Sequence, residues 1–569
     1  MNPLTEFRQA LVALGLILQV SGCATTALEP AAEDAGGEVV PFATDGGEAS
    51  YHLLLAELAL ERDQFDAAAR EYRMAAQLSD DVEIAQRAAT LSFSLGRNAE
   101  ALASAKRWAM LDPDNMEVHR YLASLYLREK DVTNAVAELS TMLKIHGDVP
   151  EEGFLVLTGV LLEEPDQATA SRAMDRLLAQ QPDVAAAHYG AALLSMQTGD
   201  YDKAQRYVTT AEELRPDWAR AGLLHARVLV ARGEVDAGLQ RAADLARNAS
   251  DPTLRLDYAL LLANLEREGE ARLELDLLLS EHPRMPGALR AAGLLEMRRG
   301  DLDAAQAHFT SLLATGRGTW DAFFYLGTIA EERGQSGRAI RYYSQVRDGE
   351  LAITAQARVA ALYESLGEIE RAVDHLITFA NETPKLDAEL NIAAGELLAR
   401  NGEASRALEI FDDVLLRHPG NRAARFARAF LYEDMDQVDT AIVELRALLK
   451  DQPDDATALN ALGYTLADRT DRHREAYRLI RRAIELEPGN PAIIDSMGWI
   501  EYRRGNLAEA YGHLERAFGL ARDPEIAAHL GEVLWVQGKT DEALAVWQES
   551  LQENPGEEVL LEVMQQFAP

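Results

Sequence analysis

The sequence predicts an all-α protein, a solenoid of about fifteen helix–turn–helix repeats. Three observations predict this fold. Small residues recur from Ala56 to Gly531 with a mean spacing of about 34 residues. A second small residue, usually alanine, follows each of them by 12 residues, with a one-residue shift at Ala476. At nine places, a proline such as Pro555 lies a further 12 residues along the chain.

Composition sets the class of protein before any motif is considered. The chain has 569 residues, 48% of them hydrophobic, which is ample for a packed core and excludes global disorder. Its net charge of −37 argues against general binding to nucleic acid or anionic lipid, because both surfaces repel it. The single cysteine excludes an internal disulfide and a cysteine-based metal cluster.

Each repeat reads as a hairpin of two helices. Apolar residues recur at helical spacing, as in Ala407, Phe411 and Val414 of one second helix. Proline ends the second helix. Glycine at the turn stops the first helix, and it lies five residues before the second small residue at Gly96, Gly199, Gly300, Gly334, Gly367, Gly402, Gly505 and Gly538. One hairpin is too small to bury its own apolar face, so consecutive hairpins must stack.

The first residues predict an export signal with a lipid anchor. Residues 10–20 are apolar but only about half the length needed to span a bilayer. The following Val20-Ser21-Gly22-Cys23 resembles a bacterial lipobox, which implies a signal peptide at 1–22 and lipidation of Cys23. Under the sorting rule of that family, Ala24 implies the outer membrane, with the protein facing the periplasm. The alternatives are an ordinary signal peptide with a chance cysteine, or a buried thiol.

Both ends of the repeat region have a distinct composition. Residues 23–48 are rich in Ala, Gly, Glu, Thr and Pro without an apolar period, which predicts a flexible tether. The repeats are expected at 49–557. Residues 558–569 carry apolar side chains at the spacing of a short amphipathic helix, which we interpret as a cap over the last repeat. A docking peptide is the alternative reading of that segment.

No catalytic constellation is found. The twelve histidines are scattered without a metal-ligand spacing, and no phosphate-binding glycine loop follows a strand. Gly334-Gln335-Ser336-Gly337 falls in a predicted hairpin turn rather than at a nucleophile elbow. We therefore predict a binding protein that is not an enzyme, with no catalytic residue, no metal and no cofactor.

The repeat pattern resembles the tetratricopeptide repeat (TPR), whose period and Gly/Ala, Ala and Pro positions it matches over nearly the whole predicted mature chain. The resemblance implies a right-handed superhelix whose first helices line a concave, ligand-binding surface. Carried onto this register, the last four repeats present there Phe426, Phe430, Asn460, Tyr464, Asp495, Trp499, Tyr502 and Trp535. Such an aromatic row suits an extended peptide or a partner helix. Packing between repeats is the alternative reading of the aromatic residues.

A local excess of arginine is the second candidate binding feature. Residues 469–482 contain six arginines, among them Arg474 and Arg478, against two acidic residues. Such a segment could dock an acidic partner surface. Ion pairs along an exposed helix face are the alternative reading.

A more specific resemblance rests on two segments, residues 459–469 (LNALGYTLADR) and 495–499 (DSMGW). They resemble the C-terminal signature of proteobacterial TPR lipoproteins. Together with the lipobox and the repeat span, they resemble the lipoprotein adaptor of the periplasmic carboxyl-terminal processing protease. This implies a noncatalytic scaffold that binds the protease and delivers protein substrates such as peptidoglycan hydrolases. The alternative function is a scaffold for envelope polysaccharide secretion or pilus assembly.

Overall fold

The computed structural model describes residues 45–60, 62, 65–147, 149–248 and 250–568. Within these residues the chain forms 31 α-helices, one 3-10 turn (Pro384–Leu386) and no strand. The predicted all-α solenoid of helix–turn–helix repeats is confirmed. The predicted signal peptide and the lipidated Cys23 lie outside the described residues, and the tether, with its boundary, stays a prediction. The first helix begins at Asp45, inside the segment predicted as tether.

The chain divides into two compact units, residues 1–355 and 356–569. The first unit contains helices α1 to α18 and the start of α19. In chain order they are α1 (Asp45–Leu60), α2 (Phe65–Leu78), α3 (Val82–Ser94), α4 (Asn98–Leu111), α5 (Met116–Arg128), α6 (Val132–His146), α7 (Pro150–Leu162), α8 (Gln167–Gln180), α9 (Ala185–Gln197), α10 (Tyr201–Leu214), α11 (Ala219–Ala231), α12 (Val235–Asn248), α13 (Pro252–Asn264), α14 (Glu268–Glu281), α15 (Pro286–Arg298), α16 (Leu302–Leu313), α17 (Thr319–Glu332), α18 (Ser336–Tyr343) and α19 (Ala352–Ser365).

The second unit contains the rest of α19 and the helices that follow it. They are α20 (Ile369–Glu382), α21 (Asp387–Arg400), α22 (Ala404–Arg417), α23 (Arg422–Asp434), α24 (Val438–Asp451), α25 (Ala456–Arg469), α26 (His473–Leu486), α27 (Pro491–Arg503), α28 (Leu507–Leu520), α29 (Pro524–Val536), α30 (Thr540–Glu553) and α31 (Glu558–Phe567). Odd-numbered helices from α1 to α29 open the hairpins and even-numbered helices close them, so the described helices form fifteen hairpins with α31 at the end.

The turns and stops of the hairpins follow the sequence signals. All eight turn glycines have a positive φ, from 67° at Gly334 to 84° at Gly505. This is the left-handed conformation in which glycine ends a helix without a steric penalty. Lys130, Glu266 and Asp436 take the same conformation in three other hairpins, at φ 61°, 60° and 59°. The glycine signal therefore misses turns that adopt the same shape with other residues. Each of the nine prolines lies two residues beyond the end of a second helix, as Pro555 does after α30.

The recurring small residue on the first helix makes room for a large side chain of the second. A Cβ placed on Gly293 would lie 2.6 Å from Cζ of Phe309, and one on Gly327 would lie 2.6 Å from Cδ1 of Tyr343. In both hairpins the large residue follows the glycine by 16 positions. Gly395 with Phe411 and Gly531 with Trp547 repeat the arrangement. The small residue of the first helix thus leaves space that the ring of the second helix fills.

Helix α7 departs from the regular hairpin. It packs more extensively against α9 than against its own partner α8. The close contact falls at Gly190 of α9, where an added Cβ would collide with the Thr158 hydroxyl of α7. The start of α9 has no local side-chain cap, because Val184 stands at the N-cap. Glu151 of α7 supplies one instead, accepting hydrogen bonds from the N–H groups of Ala185 (3.1 Å) and Ala186 (2.8 Å).

Removing this cap is expected to destabilise the first unit. The change Glu151→Ala leaves two N–H groups of α9 without their acceptor, and lost caps cost about 0.5–2 kcal/mol. The matched control is Glu152→Ala, an exposed neighbour, which should change stability by less than about 0.5 kcal/mol. Urea unfolding and amide exchange at Ala185 and Ala186 measure both effects. Equal shifts for the two variants would contradict the capping role of Glu151.

The last helix, α31, covers apolar surface of the final hairpin. Leu560 is fully buried and Val563 is 9% exposed within the C-terminal core. The ring of Phe567 lies 6.3 Å from that of Trp547 and 6.4 Å from that of Trp535. The capping role of residues 558–569 stays a prediction.

Candidate protein-binding face

The opening helices of the last four hairpins carry most of the residues predicted to bind a partner. Those helices are α23, α25, α27 and α29, all in the second unit. On those helices the structure separates the predicted residues, apart from Asn460, into three groups. One group surrounds a buried histidine, one is a pair of phenylalanines, and one belongs to the C-terminal core.

The first group is centred on His529 of α29, and we call it the His529 cluster: Tyr464, Asp495, Trp499 and His529. Nδ1 of His529 lies 3.0 Å from Oδ2 of Asp495, and both side chains are buried. The imidazole stacks on the indole of Trp499 with ring centroids 4.2 Å apart. The hydroxyl of Tyr464 lies 3.5 Å from Nε2 of His529. Three predicted residues therefore meet around a fourth that the sequence analysis did not select.

The charge of this buried pair is set by two opposing effects. Burial alone would lower the pKa of His529, because it disfavours the imidazolium. The carboxylate of Asp495, which accepts its hydrogen bond, acts together with the nearby Glu525 and Glu532 to outweigh burial, and the pKa of His529 is raised. The pair is thus held as an ion pair beneath Tyr464.

Carboxylates surround the cluster at its exposed side. Glu525 of α29 lies 3.4 Å from the hydroxyl of Tyr464. Tyr502, another predicted residue, donates to Oε1 of Glu532 at 2.8 Å. Nε1 of Trp499 donates to Asp468 at 3.1 Å. None of these acidic residues was predicted, because a chain so rich in Asp and Glu gives no local signal for any one of them.

The pKa values of the acidic groups and tyrosines beside the cluster are raised. Surrounding protein atoms withdraw water from Glu525 and Glu532, which raises the pKa of both carboxyl groups. The same loss of hydration raises the pKa of Tyr464 and of Tyr502, and nearby carboxylates add to it. The ionised forms of Glu525 and Glu532 are therefore less favourable on this face than they are in water.

The second group is the pair Phe426 and Phe430 on α23. Their rings stack with centroids 6.2 Å apart. Phe426 is partly buried against the core, whereas Phe430 remains 48% exposed. An exposed aromatic ring of this size is available to a partner.

The remaining predicted residues lie elsewhere. Trp535 packs on Trp547 at 5.9 Å in the C-terminal core, so packing explains it. Asn460 is partly buried, and its Oδ1 has no hydrogen-bond partner among the described residues. Arg474 and Arg478 are exposed on α26, a closing helix, and form no ion pair within the described part of the chain.

The neighbouring arginines are paired. Arg469 contacts Asp436 at 2.7 Å and Arg482 contacts Asp454 at 2.8 Å, each bridging to the preceding hairpin. Arg472 and Arg481 pair with acidic residues of their own helix, Glu475 and Glu485. The alternative reading, an ion-paired helix face, thus describes four of the six arginines.

Across the described ranges, no group of three or more His, Cys, Asp or Glu side chains is arranged to hold a metal ion. In the same ranges, no helix combines the length and apolarity required to cross a bilayer.

Stacked hairpins that expose aromatic and acidic side chains define a helical-repeat protein, a class that typically serves as a noncatalytic scaffold for other proteins. Comparison with known proteins agrees. A protein-family model described as Tetratricopeptide repeat matches residues 87–150, 166–218, 290–357 and 496–558. A second family model with the same description matches residues 398–463. A TPR repeat-containing protein of Pseudomonas aeruginosa is 31% identical over 538 residues, covering 93% of this chain and 91% of its own length.

The chain belongs to the tetratricopeptide repeat family. Two solved structures cover nearly all of it at low identity. The chain in the structure of Naa15/Naa10 bound to HypK-THB is 14% identical, covering 91% of this chain and 96% of its own, with a TM-score of 0.38. The yeast Tom70 structure is 16% identical, covering 91% and 95%, with a TM-score of 0.31.

Proposed function

We propose that this protein is a noncatalytic scaffold that binds other proteins through the opening helices of its last four hairpins. The observation that supports this most directly is the exposed ring of Phe430 near one end of that surface, with the partly buried Tyr464 and Tyr502 farther along it. Large aromatic side chains left accessible on a rigid helical framework are typical of binding hot spots.

The proposal extends to a particular task. The segments at 459–469 and 495–499, which carry Tyr464, Asp495 and Trp499, resemble the C-terminal signature of proteobacterial TPR lipoproteins. The length, the lipobox and the repeat span together resemble the lipoprotein adaptor of a carboxyl-terminal processing protease. On this proposal the protein holds the protease and a protein substrate, such as a peptidoglycan hydrolase, on one scaffold. Holding both together raises their effective concentration to about millimolar, which accelerates cleavage without any chemistry by the scaffold.

A reconstituted reaction tests this function. Purified protein, a carboxyl-terminal processing protease and a peptidoglycan hydrolase from the same cells are mixed, and hydrolase cleavage is followed over time. We expect the full chain to accelerate cleavage and to co-purify with the protease. Unchanged cleavage together with no co-purification would refute the adaptor role.

Phe430→Ala is expected to weaken partner binding without unfolding the protein. Removing a half-exposed ring forfeits contact with the partner, and such truncations cost about 1–2 kcal/mol of binding free energy, close to a tenfold loss of affinity. Leu416→Ala is the matched control, because Leu416 is 80% exposed on the closing helix α22. Calorimetric titration with the protease measures both. Equal affinities for the two variants would place binding elsewhere.

We further propose that a lipid on Cys23 anchors the scaffold to the outer membrane, facing the periplasm. Each buried methylene of an acyl chain contributes about 0.8 kcal/mol to membrane binding, so removing the acylated residue should release the protein. Cys23→Ala is therefore expected to move the protein from the membrane fraction to the soluble fraction of the cell. Ala24→Ser, which keeps the cysteine, is the control. Unchanged fractionation of Cys23→Ala would exclude this anchor.

A further inference from the structure

Three glutamates on the proposed binding surface form no ion pair among the described residues. Glu433 accepts a hydrogen bond from the hydroxyl of Thr465 at 3.1 Å. Glu525 faces the hydroxyl of Tyr464 and Glu532 that of Tyr502, as described above. These contacts are with neutral groups, and none of the three glutamates forms an ion pair among the described residues.

The cations nearby are already engaged. Arg503 contacts both the backbone carbonyl (3.0 Å) and the carboxylate (3.1 Å) of Asp468. His529 is bound by Asp495, and Arg469 reaches Asp436. Each of these cations is held by another carboxylate, and none of them forms an ion pair with the three glutamates, although His529 and Arg503 are close enough to favour the ionised form of Glu532.

This arrangement is costly to the free protein. Surrounding atoms withdraw water from Glu433 as well, and its pKa is raised. A carboxylate that has lost hydration without gaining a cation is destabilised. Glu525 nevertheless remains exposed, and Glu433 and Glu532 are only partly buried, so a partner can reach them.

We propose that this surface binds an extended segment of a partner protein through its arginine or lysine side chains. The inference rests on the proposed scaffold function and names the chemistry of its ligand. Glu525 and Glu532 lie about 10 Å apart along α29. One cationic side chain of the segment would therefore meet Glu525 beside Tyr464, and another would meet Glu532 beside Tyr502. Opposite charge and aromatic faces together favour a cation over a neutral or acidic side chain.

A peptide comparison tests the proposal on the full-length chain. The probe is a fluorescein-labelled 12-residue peptide of Gly, Ser and Leu with three arginines. Matched peptides carry citrulline, which is neutral and of the same shape, or glutamate in place of each arginine. We expect the arginine peptide to bind about tenfold more tightly than the citrulline peptide, with an affinity that falls as salt is added.

Two double variants locate the site. Glu525→Gln with Glu532→Gln removes two charges from the surface and keeps an acceptor for each tyrosine hydroxyl. Glu509→Gln with Glu553→Gln removes the same charge from exposed positions on the closing helices α28 and α30. We expect the Glu525→Gln, Glu532→Gln variant to bind the arginine peptide about tenfold more weakly than the unmodified protein does. The Glu509→Gln, Glu553→Gln variant should bind it with unchanged affinity.

Equal loss in both double variants would overturn the proposal, because it would indicate only general attraction to an acidic chain. Equal binding of the arginine and citrulline peptides to the unmodified protein would also overturn it, whether or not the variants fold. Tighter binding of the glutamate peptide would point instead to the exposed arginines of α26. If the protease reaction is accelerated while the arginine peptide does not bind, this inference fails and the scaffold function stands. If the arginine peptide binds while protease cleavage is not accelerated, the adaptor function fails and the inferred cation-binding surface stands.

Discussion

Replacing Trp547 by alanine is expected to destabilise the C-terminal hairpins by about 3–5 kcal/mol, the usual cost of removing a fully buried large aromatic side chain. Trp547 is 0% exposed and fills the space left by Gly531. Its indole N–H donates to the carbonyl of Ala528 at 3.3 Å, and its ring contacts those of Trp535 and Phe567. The change would therefore loosen α29, α30 and α31 together.

Amide exchange across α29 to α31 measures the loss of protection, and urea unfolding measures the free energy. Trp320→Ala is the control, because Trp320 of the first unit is 36% exposed and should cost much less. The reverse change, Gly531→Leu, would drive a side chain into the indole and is expected to cost about 1–3 kcal/mol. Similar stabilities for Trp547→Ala and Trp320→Ala would contradict the proposed role of the glycine–tryptophan contact.

Breaking the buried ion pair is expected to have a comparable effect. His529→Leu leaves the carboxylate of Asp495 buried without a cation, and breaking such pairs costs about 3–5 kcal/mol. Replacing both residues, Asp495→Leu with His529→Leu, should recover most of that loss, because no charge remains buried. Urea unfolding of the three proteins gives the comparison. If the double variant is no more stable than His529→Leu, the ion pair is not the source of the cost.

The same pair predicts the direction of a pH effect. Because the pKa of His529 is raised above its ordinary value of 6.5, its stabilising contribution is fully present below about pH 6.5 and is lost as pH rises through the raised value. The raised pKa values of Glu433, Glu525 and Glu532 act in the same direction, since their neutral forms are the better tolerated. The melting temperature of the second unit should therefore fall as pH rises above about 4.5, where the glutamates begin to ionise in the unfolded chain, and fall further above about 6.5, where His529 begins to lose its proton there. The double variant should show a flatter profile.

The regular part of the fold follows directly from the sequence. Glycine, alanine and proline stand at fixed distances because each has one steric task in a hairpin: Gly538 turns the chain, Ala543 packs at 0% exposure, and Pro555 follows the end of α30. Such tasks depend on the residue type alone, so a pattern of types is enough to place them. Lys130 fills a turn without belonging to that pattern, because the surrounding hairpin imposes the left-handed conformation on it.

The binding surface was predicted only in part. The repeat spacing in the sequence placed Tyr464, Asp495 and Trp499 on opening helices. It did not indicate that their side chains converge on His529, which lies one repeat of 34 residues beyond Asp495. Pairing between hairpins depends on side-chain direction, which a repeat spacing does not fix. The extensive packing of α7 against α9 could not be predicted for the same reason. Thr158 and Gly190 are neighbours only because α7 and α9 pack directly against each other.

The glycine–aromatic contacts have a consequence for how such an array can change. Gly293 with Phe309, and Gly531 with Trp547, lie within single hairpins. A recombination break inside a turn would combine the first helix of one hairpin with the second helix of another. The space at the glycine would then face a side chain of a different size. A break at a proline such as Pro555 would transfer a whole hairpin, with its glycine and its aromatic side chain kept together. Libraries shuffled at the prolines should therefore yield far more folded chimaeras than libraries shuffled at the glycines.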